Sequence, residues 1–297
     1  MNHANSSVIL IIPSASYRTN PFMDAATKLD LKVLVITDKS QVFSEYYPDN
    51  VITMNFEHWQ ESIENIREWS ERYDLKAVIG VDEESIILAA KLSESLCIEH
   101  NSLESVKLTK NKYLMRSELK KSGLKSPWFK RFSVHETPKD IFAELSFPCV
   151  LKPTFLSASQ GVLRVNSFEE FGKGCEMLSD LLAEEKVKKR GGDQANWILV
   201  EEYIPGKEVS IEGIVNDGKL KDLAIFDKPE PLEGPIFPET IFITPTILDE
   251  HLQFSLLETA QTALQALGIS KGPVHIELRI NDHGNYILEC AARSIGG

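Results

Sequence analysis

Residues 272–297 read GPVHIELRINDHGNYILECAARSIGG. Val274, Ile276, Leu278 and Ile280 alternate with His275, Glu277 and Arg279, so a strand here turns one face to a core and the other, polar, to a possible site. Asp282-His283-Gly284 suits a three-residue hairpin turn with glycine in the left-handed position, which pairs Asn281 with Asn285. Continuing outward in that register, Glu277 lies opposite Glu289. A two-residue His283-Gly284 turn would set Glu277 against Cys290 instead and change the pleat phase.

Two carboxylates opposed across a strand pair have Cβ atoms roughly 5 Å apart. At an effective dielectric near 20 their repulsion is on the order of 3 kcal/mol, above the roughly 0.2–1 kcal/mol that a good cross-strand pair contributes. Something must neutralise them. Mg²⁺ held by one or two carboxylates together with phosphates is the usual solution, and Arg293 adds a fixed cation just beyond Glu289. Screening by solvent or by Arg279 is the structural alternative.

Upstream, three further segments offer groups that suit a nucleotide. Lys112 opens a basic stretch, TKNKYLMRSELKKSGLKSP (109–127), which reads as one helix stopped by Gly123 and Pro127. FPCVLKPTFLSASQGVLRV (147–165) reads as a hairpin: a strand ending at Lys152-Pro153, a loop of small and hydroxylic residues from Ser157 through Ser159 to Gly161, and a second strand. Such a loop lets backbone N–H groups approach anionic oxygens, and the lysine supplies a point charge. ILVEEYIPGKEVSIEG (198–213) reads as two strands around a sharp Pro205-Gly206 turn. An adenine edge needs a backbone acceptor and donor and a ribose needs a carboxylate, and Glu201, Glu202, Ile204 and Glu208 are spaced for that. A plain edge hairpin and an acidic hairpin without ligand are the corresponding structural readings.

The first hundred residues alternate apolar runs with helical patterns: SVILII (7–12), a helix from Pro21 to Leu29, KVLVI (32–36), an amphipathic helix over Glu57–Tyr73, KAVIG (76–80) and a helix over Glu84–Leu96. That order predicts a parallel βαβ sheet. Trp59, Ile63, Ile66, Trp69 and Tyr73 recur three or four apart and form a core stripe. Asp82 and Glu83 fall at the carboxyl end of a parallel strand, where open α/β sheets place ligands; a helix cap with a first-turn acid is the alternative. No GxGxxG follows the first strand, so a dinucleotide loop is set aside. EEKVKKRGGDQAN (184–196) reads as a solvated joint between two lobes, and FDKPEPLEGPIFPET (226–240) as a long loop whose Lys228 could meet a carboxylate or phosphate.

The whole chain has 297 residues, 42% hydrophobic and 26% charged, the balance of a globular protein of about two domains. A net charge of -12 excludes a broad surface for nucleic acid or anionic membrane but allows a local basic pocket. With no secretory core or spanning segment, the expected location is cytoplasmic. Cys97, Cys149, Cys175 and Cys290 form no CxxC pair and are expected to be reduced and mostly buried.

Taken together, these motifs resemble the ATP-grasp superfamily of carboxylate–amine ligases, over the whole chain. The resemblance implies an α/β fold: a pre-ATP-grasp parallel domain (1–105), a first ATP-grasp lobe (106–190) and a second lobe (191–297) that is incomplete at its C-terminus, because relatives continue beyond the metal strand. It further implies ATP and Mg²⁺ as cofactors, with Mn²⁺ the alternative. Lys112 and Lys152 then bind phosphates, the loop Ser157–Gly161 covers them, and Glu201 with the backbone of Glu202 and Ile204 clamps adenine. Glu208 binds ribose, Glu277 and Glu289 hold the metal, and Arg293 stabilises the transferred phosphoryl group. The implied reaction makes an acylphosphate from ATP and a carboxylic acid, which an amine opens to an amide or peptide bond. Small-molecule carboxylate and amine substrates follow, with no nucleic acid or membrane partner, and a homodimer is allowed.

Against the family's E-x-N-x-R, this chain has Glu289-Cys290-Ala291-Ala292-Arg293, so Ala291 replaces an amide that normally assists a second metal, and the covering loop has the single glycine Gly161. Two rivals follow. One is a biotin-carboxylase-like enzyme that phosphorylates bicarbonate, although no biotin-carrier motif is present. The other is a nucleotide-binding protein without turnover.

Overall fold

A computed structural model describes residues 6–39, 50–136, 139–230, 233–238 and 241–296. Strands β1 (Ser6–Ile11), β2 (Lys32–Thr37), β3 (Val51–Thr53) and β4 (Asp74–Gly80) make a parallel sheet in the order β3-β2-β1-β4. β1 is buried along its whole length, which is why its sequence is a continuous apolar run rather than an alternation. The three-residue β3 is too short to carry a sequence signal of its own.

Among the described residues, the helices of this unit are α1 (Thr19–Lys28), α2 (Ile63–Glu71) and α3 (Ile86–Ser95). The stripe from Trp59 to Tyr73 joins one core with Ile9, Ile11 and Leu92, as its spacing predicts. Its first turn differs: Phe56–Ser62 is 3-10, capped by the Asn55 side chain, which accepts from the Glu57 N–H.

The basic stretch is two helices rather than one, α4 (Leu103–Lys110) and α5 (Lys112–Lys121). Asn111 breaks it in an extended conformation, and its side-chain oxygen accepts from the N–H groups of Tyr113 and Leu114. An asparagine satisfies orphan helix donors better than it continues a helix. The break makes Lys112 the first residue of α5, and its own N–H donates to Thr154 O at 2.7 Å.

Next come β5 (Phe129–Ser133), the short α6 (Lys139–Phe142), β6 (Cys149–Pro153), β7 (Leu163–Val165), α7 (Phe168–Ala183), α8 (Glu185–Gly191) and β8 (Trp197–Glu202). The strands form an antiparallel sheet in the order β5-β8-β6-β7. EEKVKKRGGDQAN is therefore not a joint between lobes: it forms α8 and a 3-10 turn that lead into β8, a strand paired with both β5 and β6. A lobe boundary at 190 would cut this sheet, because long-range pairing outweighs the local charge that suggested a linker.

β9 (Lys207–Asn216), β10 (Lys219–Asp227), β11 (Gly272–Asn281) and β12 (Gly284–Ala291) form the third sheet, antiparallel, in the order β10-β9-β11-β12. Helix α9 (Glu250–Ala266) covers it with Leu256, Ala260, Ala263 and Leu264. Residues 231–232 and 239–240 of the proline-rich loop lie outside the described residues. Cys149 and Cys290 are buried, Cys175 is half-buried and Cys97 is exposed, all four as free thiols.

The second and third sheets join at Tyr203–Gly206, between β8 and β9. Gly206 has φ +126°, and a Cβ there would overlap the Ile280 carbonyl. Both obstacles are backbone, so Gly206→Ala should cost about 2 kcal/mol. Denaturant unfolding measures it, and an unchanged midpoint would mean that the turn relaxes freely.

Candidate nucleotide and metal site

A cavity lies between the two antiparallel sheets. Every residue singled out from the sequence for nucleotide or metal lines it except Ser157 and Gly161. Ser157 faces a neighbouring cavity. Gly161 (φ +72°) packs toward Leu178, Leu181 and Pro153, so its place in the loop is set by close packing. Ala158 and Ser159 between them hold left-handed backbone at φ +54°, uncommon for residues with a Cβ.

At one end, Glu201 on β8 is buried with two cations. Arg116, on the same face of α5 as Lys112 one turn earlier, donates from Nε at 2.9 Å and from Nη2 at 3.3 Å. Lys152 Nζ, from β6, pairs with the same carboxylate. Burial alone would keep Glu201 protonated, but Arg116 and Lys152 outweigh it and bring its pKa down to about 2. Burial lowers Lys152 to about 8; Glu201 pulls upward, while Arg116 and Lys112 add repulsion.

In the middle, carboxylates and cations alternate. Lys228 Nζ bridges Glu208 at 2.7 Å and Glu277 at 2.9 Å, and Arg279 Nε holds the other Glu208 oxygen at 3.0 Å. Burial opposes the charge on Lys228, yet the two glutamates raise its pKa. The loop lysine noted in the sequence is thus a central element of the site. His275 sits between Glu212, on its Nδ1 side, and Glu277, 3.4 Å from Nε2. Burial would lower its pKa, but hydrogen bonds to both glutamates raise it to about 9. His275 therefore carries a proton at neutral pH and is not a free general base. Glu212 was missed from the sequence, although Glu208, Ser210 and Glu212 share one face of β9.

Glu277 does lie opposite Glu289, but by another route than the turn arithmetic. The turn has two residues, Asp282-His283, and pairs Asn281 with Gly284. Unbroken, that register would set Glu277 against Leu288; a β-bulge between the Leu278–Ile287 and Glu277–Glu289 pairs takes up Leu288 and restores the opposition. Neutralisation also differs from expectation. Arg279 serves Glu208 and the Ile204 carbonyl (2.7 Å), and Arg293 donates to Glu83 at 2.6 Å. The cations on the pair are Lys228 and His275 at Glu277, and Lys112 at Glu289, 3.2 Å away. Two opposed carboxylates that already recruit cations, in a cavity that also holds Lys112 and Lys152, are a hard-oxygen donor set suited to a divalent ion completed by phosphates. Ala291 is buried opposite His275 and offers the set no donor.

A second cavity shares Ala158, His275, Glu277 and Arg293 with the first and reaches the carboxyl ends of the parallel sheet. Arg18 Nε is 3.5 Å from Asp82 there, and Arg190 Nε is 3.3 Å from Glu84. Asp82 and Glu83 are therefore turned toward the site rather than acting as helix caps.

Residues 145–297 match the model of the ATP-grasp domain. The chain belongs to the ATP-grasp family. Among curated relatives of this ATP-grasp chain is alanine–anticapsin ligase of Bacillus subtilis (strain 168), 29% identical over 304 residues, covering 95% of this chain and 64% of that protein. D-alanine–D-alanine ligase of Francisella tularensis subsp. holarctica is 27% identical over 218 residues, 72% of this chain and 67% of that protein. An L-amino acid ligase from Bacillus licheniformis superposes with TM-score 0.81 and 27% identity, over 99% of this chain and 69% of that one. The chain thus spans about two thirds of the length of these relatives. No helix among the described residues is long and apolar enough to cross a membrane.

Proposed function

We propose that this chain acts as an ATP-dependent carboxylate–amine ligase. The reading is carried by the convergence, in one cavity, of Lys112, Lys152, Glu201, Glu208, Glu277 and Glu289 from six separate elements. Relatives named as ligases of amino acids place amide formation ahead of bicarbonate phosphorylation. A protein without turnover would still need this pocket, so the test starts with binding.

In the proposed reaction a substrate carboxylate oxygen attacks the γ-phosphorus of ATP, ADP leaves, and an acylphosphate forms. An amine then attacks the acyl carbon, phosphate leaves with the C–O bond pair and takes up the proton lost from nitrogen, giving an amide or peptide bond. Lys112 and Lys152 hold phosphate oxygens. Adenine lies against the end of β8, with the carbonyl of Glu202 and the N–H of Ile204 on its edge, and Glu208 takes the ribose hydroxyls. Ser159 and its loop shield the phosphates from water. Glu277 and Glu289 would hold Mg²⁺, which supplies neutralisation of the phosphate charge. Arg293, kept in place by Glu83, faces the developing charge on the transferred group. The second cavity takes the acid and the amine. Catalysis on this reading is positioning and charge neutralisation, with no protein base required for the first step.

ATP with Mg²⁺ should raise the thermal midpoint, since a ligand at about a hundred times its dissociation constant stabilises by roughly 2.7 kcal/mol. ADP release with pools of amino acids then separates a ligase from a binder. An unchanged midpoint at millimolar ATP and Mg²⁺ would remove the nucleotide assignment.

A further inference from the structure

Arg116 is almost fully buried, yet no ligand role falls to it. Its guanidinium makes a fork on Glu201 and a second contact pair on β12: Nη1 donates to the Ile287 carbonyl and Nη2 to the Leu288 carbonyl at 3.1 Å. Consecutive carbonyls of a regular strand point to opposite edges, so one guanidinium can take both only where the strand is bulged. Leu288 is the residue taken up in that bulge.

We infer that Arg116 is a positioning residue that locks the register of the metal hairpin: by binding both carbonyls of the bulge it keeps Glu289 opposite Glu277, and by its fork on Glu201 it ties that register to the adenine end. The two-residue turn by itself favours the unbulged alignment, in which Leu288 opposes Glu277 and Glu289 moves to the other face. Arg116 binds the bulged strand through two donors and an unbulged one through a single donor, so it shifts the balance toward the aligned pair. Lysine cannot replace it, because an ammonium has no planar fork.

The inference rests on the nucleotide reading above, and titration with ADP in EDTA and in Mg²⁺ tests both. Wild type should bind ADP about tenfold or more tightly with Mg²⁺. Arg116→Lys, which keeps a cation beside Glu201, should retain the EDTA affinity within about threefold and lose most of the Mg²⁺ gain. Glu201→Gln should do the reverse, weakening binding in EDTA while keeping the ratio. A full Mg²⁺ gain in Arg116→Lys overturns the register lock alone. Loss of the fold in Arg116→Lys, read by far-UV circular dichroism, also overturns it, because Arg116 would then have no role separable from folding. Absence of any Mg²⁺ gain in wild type overturns the lock together with the metal reading.

Discussion

Replacing Lys152 by alanine should lower the stability of the nucleotide-free protein by about 3 kcal/mol and weaken binding of a non-hydrolysable ATP analogue by roughly ten- to a hundredfold. The first effect follows from burial. Lys152 and Glu201 are both almost inaccessible and paired, and removing one member of a buried pair typically costs about 3–5 kcal/mol. The low end applies because Arg116 still holds Glu201. The second effect follows from losing one charge-assisted contact to a phosphate, worth about 1.5–3 kcal/mol, with each tenfold in affinity equal to about 1.4 kcal/mol. Cys97→Ala, at an exposed thiol away from the cavity, serves as the control and should change neither quantity appreciably. Denaturant unfolding and an analogue titration read the two effects separately. Equal affinities for wild type and Lys152→Ala would make Lys152 a structural cation for Glu201.

Glu289→Gln should abolish the Mg²⁺-dependent part of the ATP stabilisation while changing the metal-free protein by less than about 1 kcal/mol. Two opposed terms keep the metal-free change small. The substitution relieves repulsion with Glu277, and it deprives Lys112 of a partly buried partner, leaving that ammonium its bond to the Leu156 carbonyl at 2.7 Å. The metal-dependent increment, up to roughly 2.7 kcal/mol at saturating ligand, is seen as about 5–10 °C in midpoint for a chain of this size. Unfolding of both proteins in EDTA and in Mg²⁺-ATP makes the comparison. A destabilised metal-free variant with its Mg²⁺-ATP increment intact would take Glu289 out of the metal set and leave it as the ion-pair partner of Lys112.

The alternation that makes β11 half core and half site, the continuous apolar run of β1, the aromatic stripe from Trp59 to Tyr73 and the order of the motifs are all legible along the chain. These are local properties: a side chain's periodicity along one element fixes which face it shares, and no distant residue is needed to read it. Which charges meet depends on packing in three dimensions. Arg279 and Arg293 are close to Glu277 and Glu289 in sequence but serve Glu208 and Glu83; of the cations that reach the pair, His275 is a strand neighbour of Glu277, while Lys228 and Lys112 come from a loop and from a helix far along the chain. The Glu277–Glu289 opposition was legible, but its cause was not, since the bulge that creates it takes the buried fork of Arg116 for its carbonyls. A buried charge must find its partner wherever packing excludes water, and that requirement is satisfied across elements rather than along them.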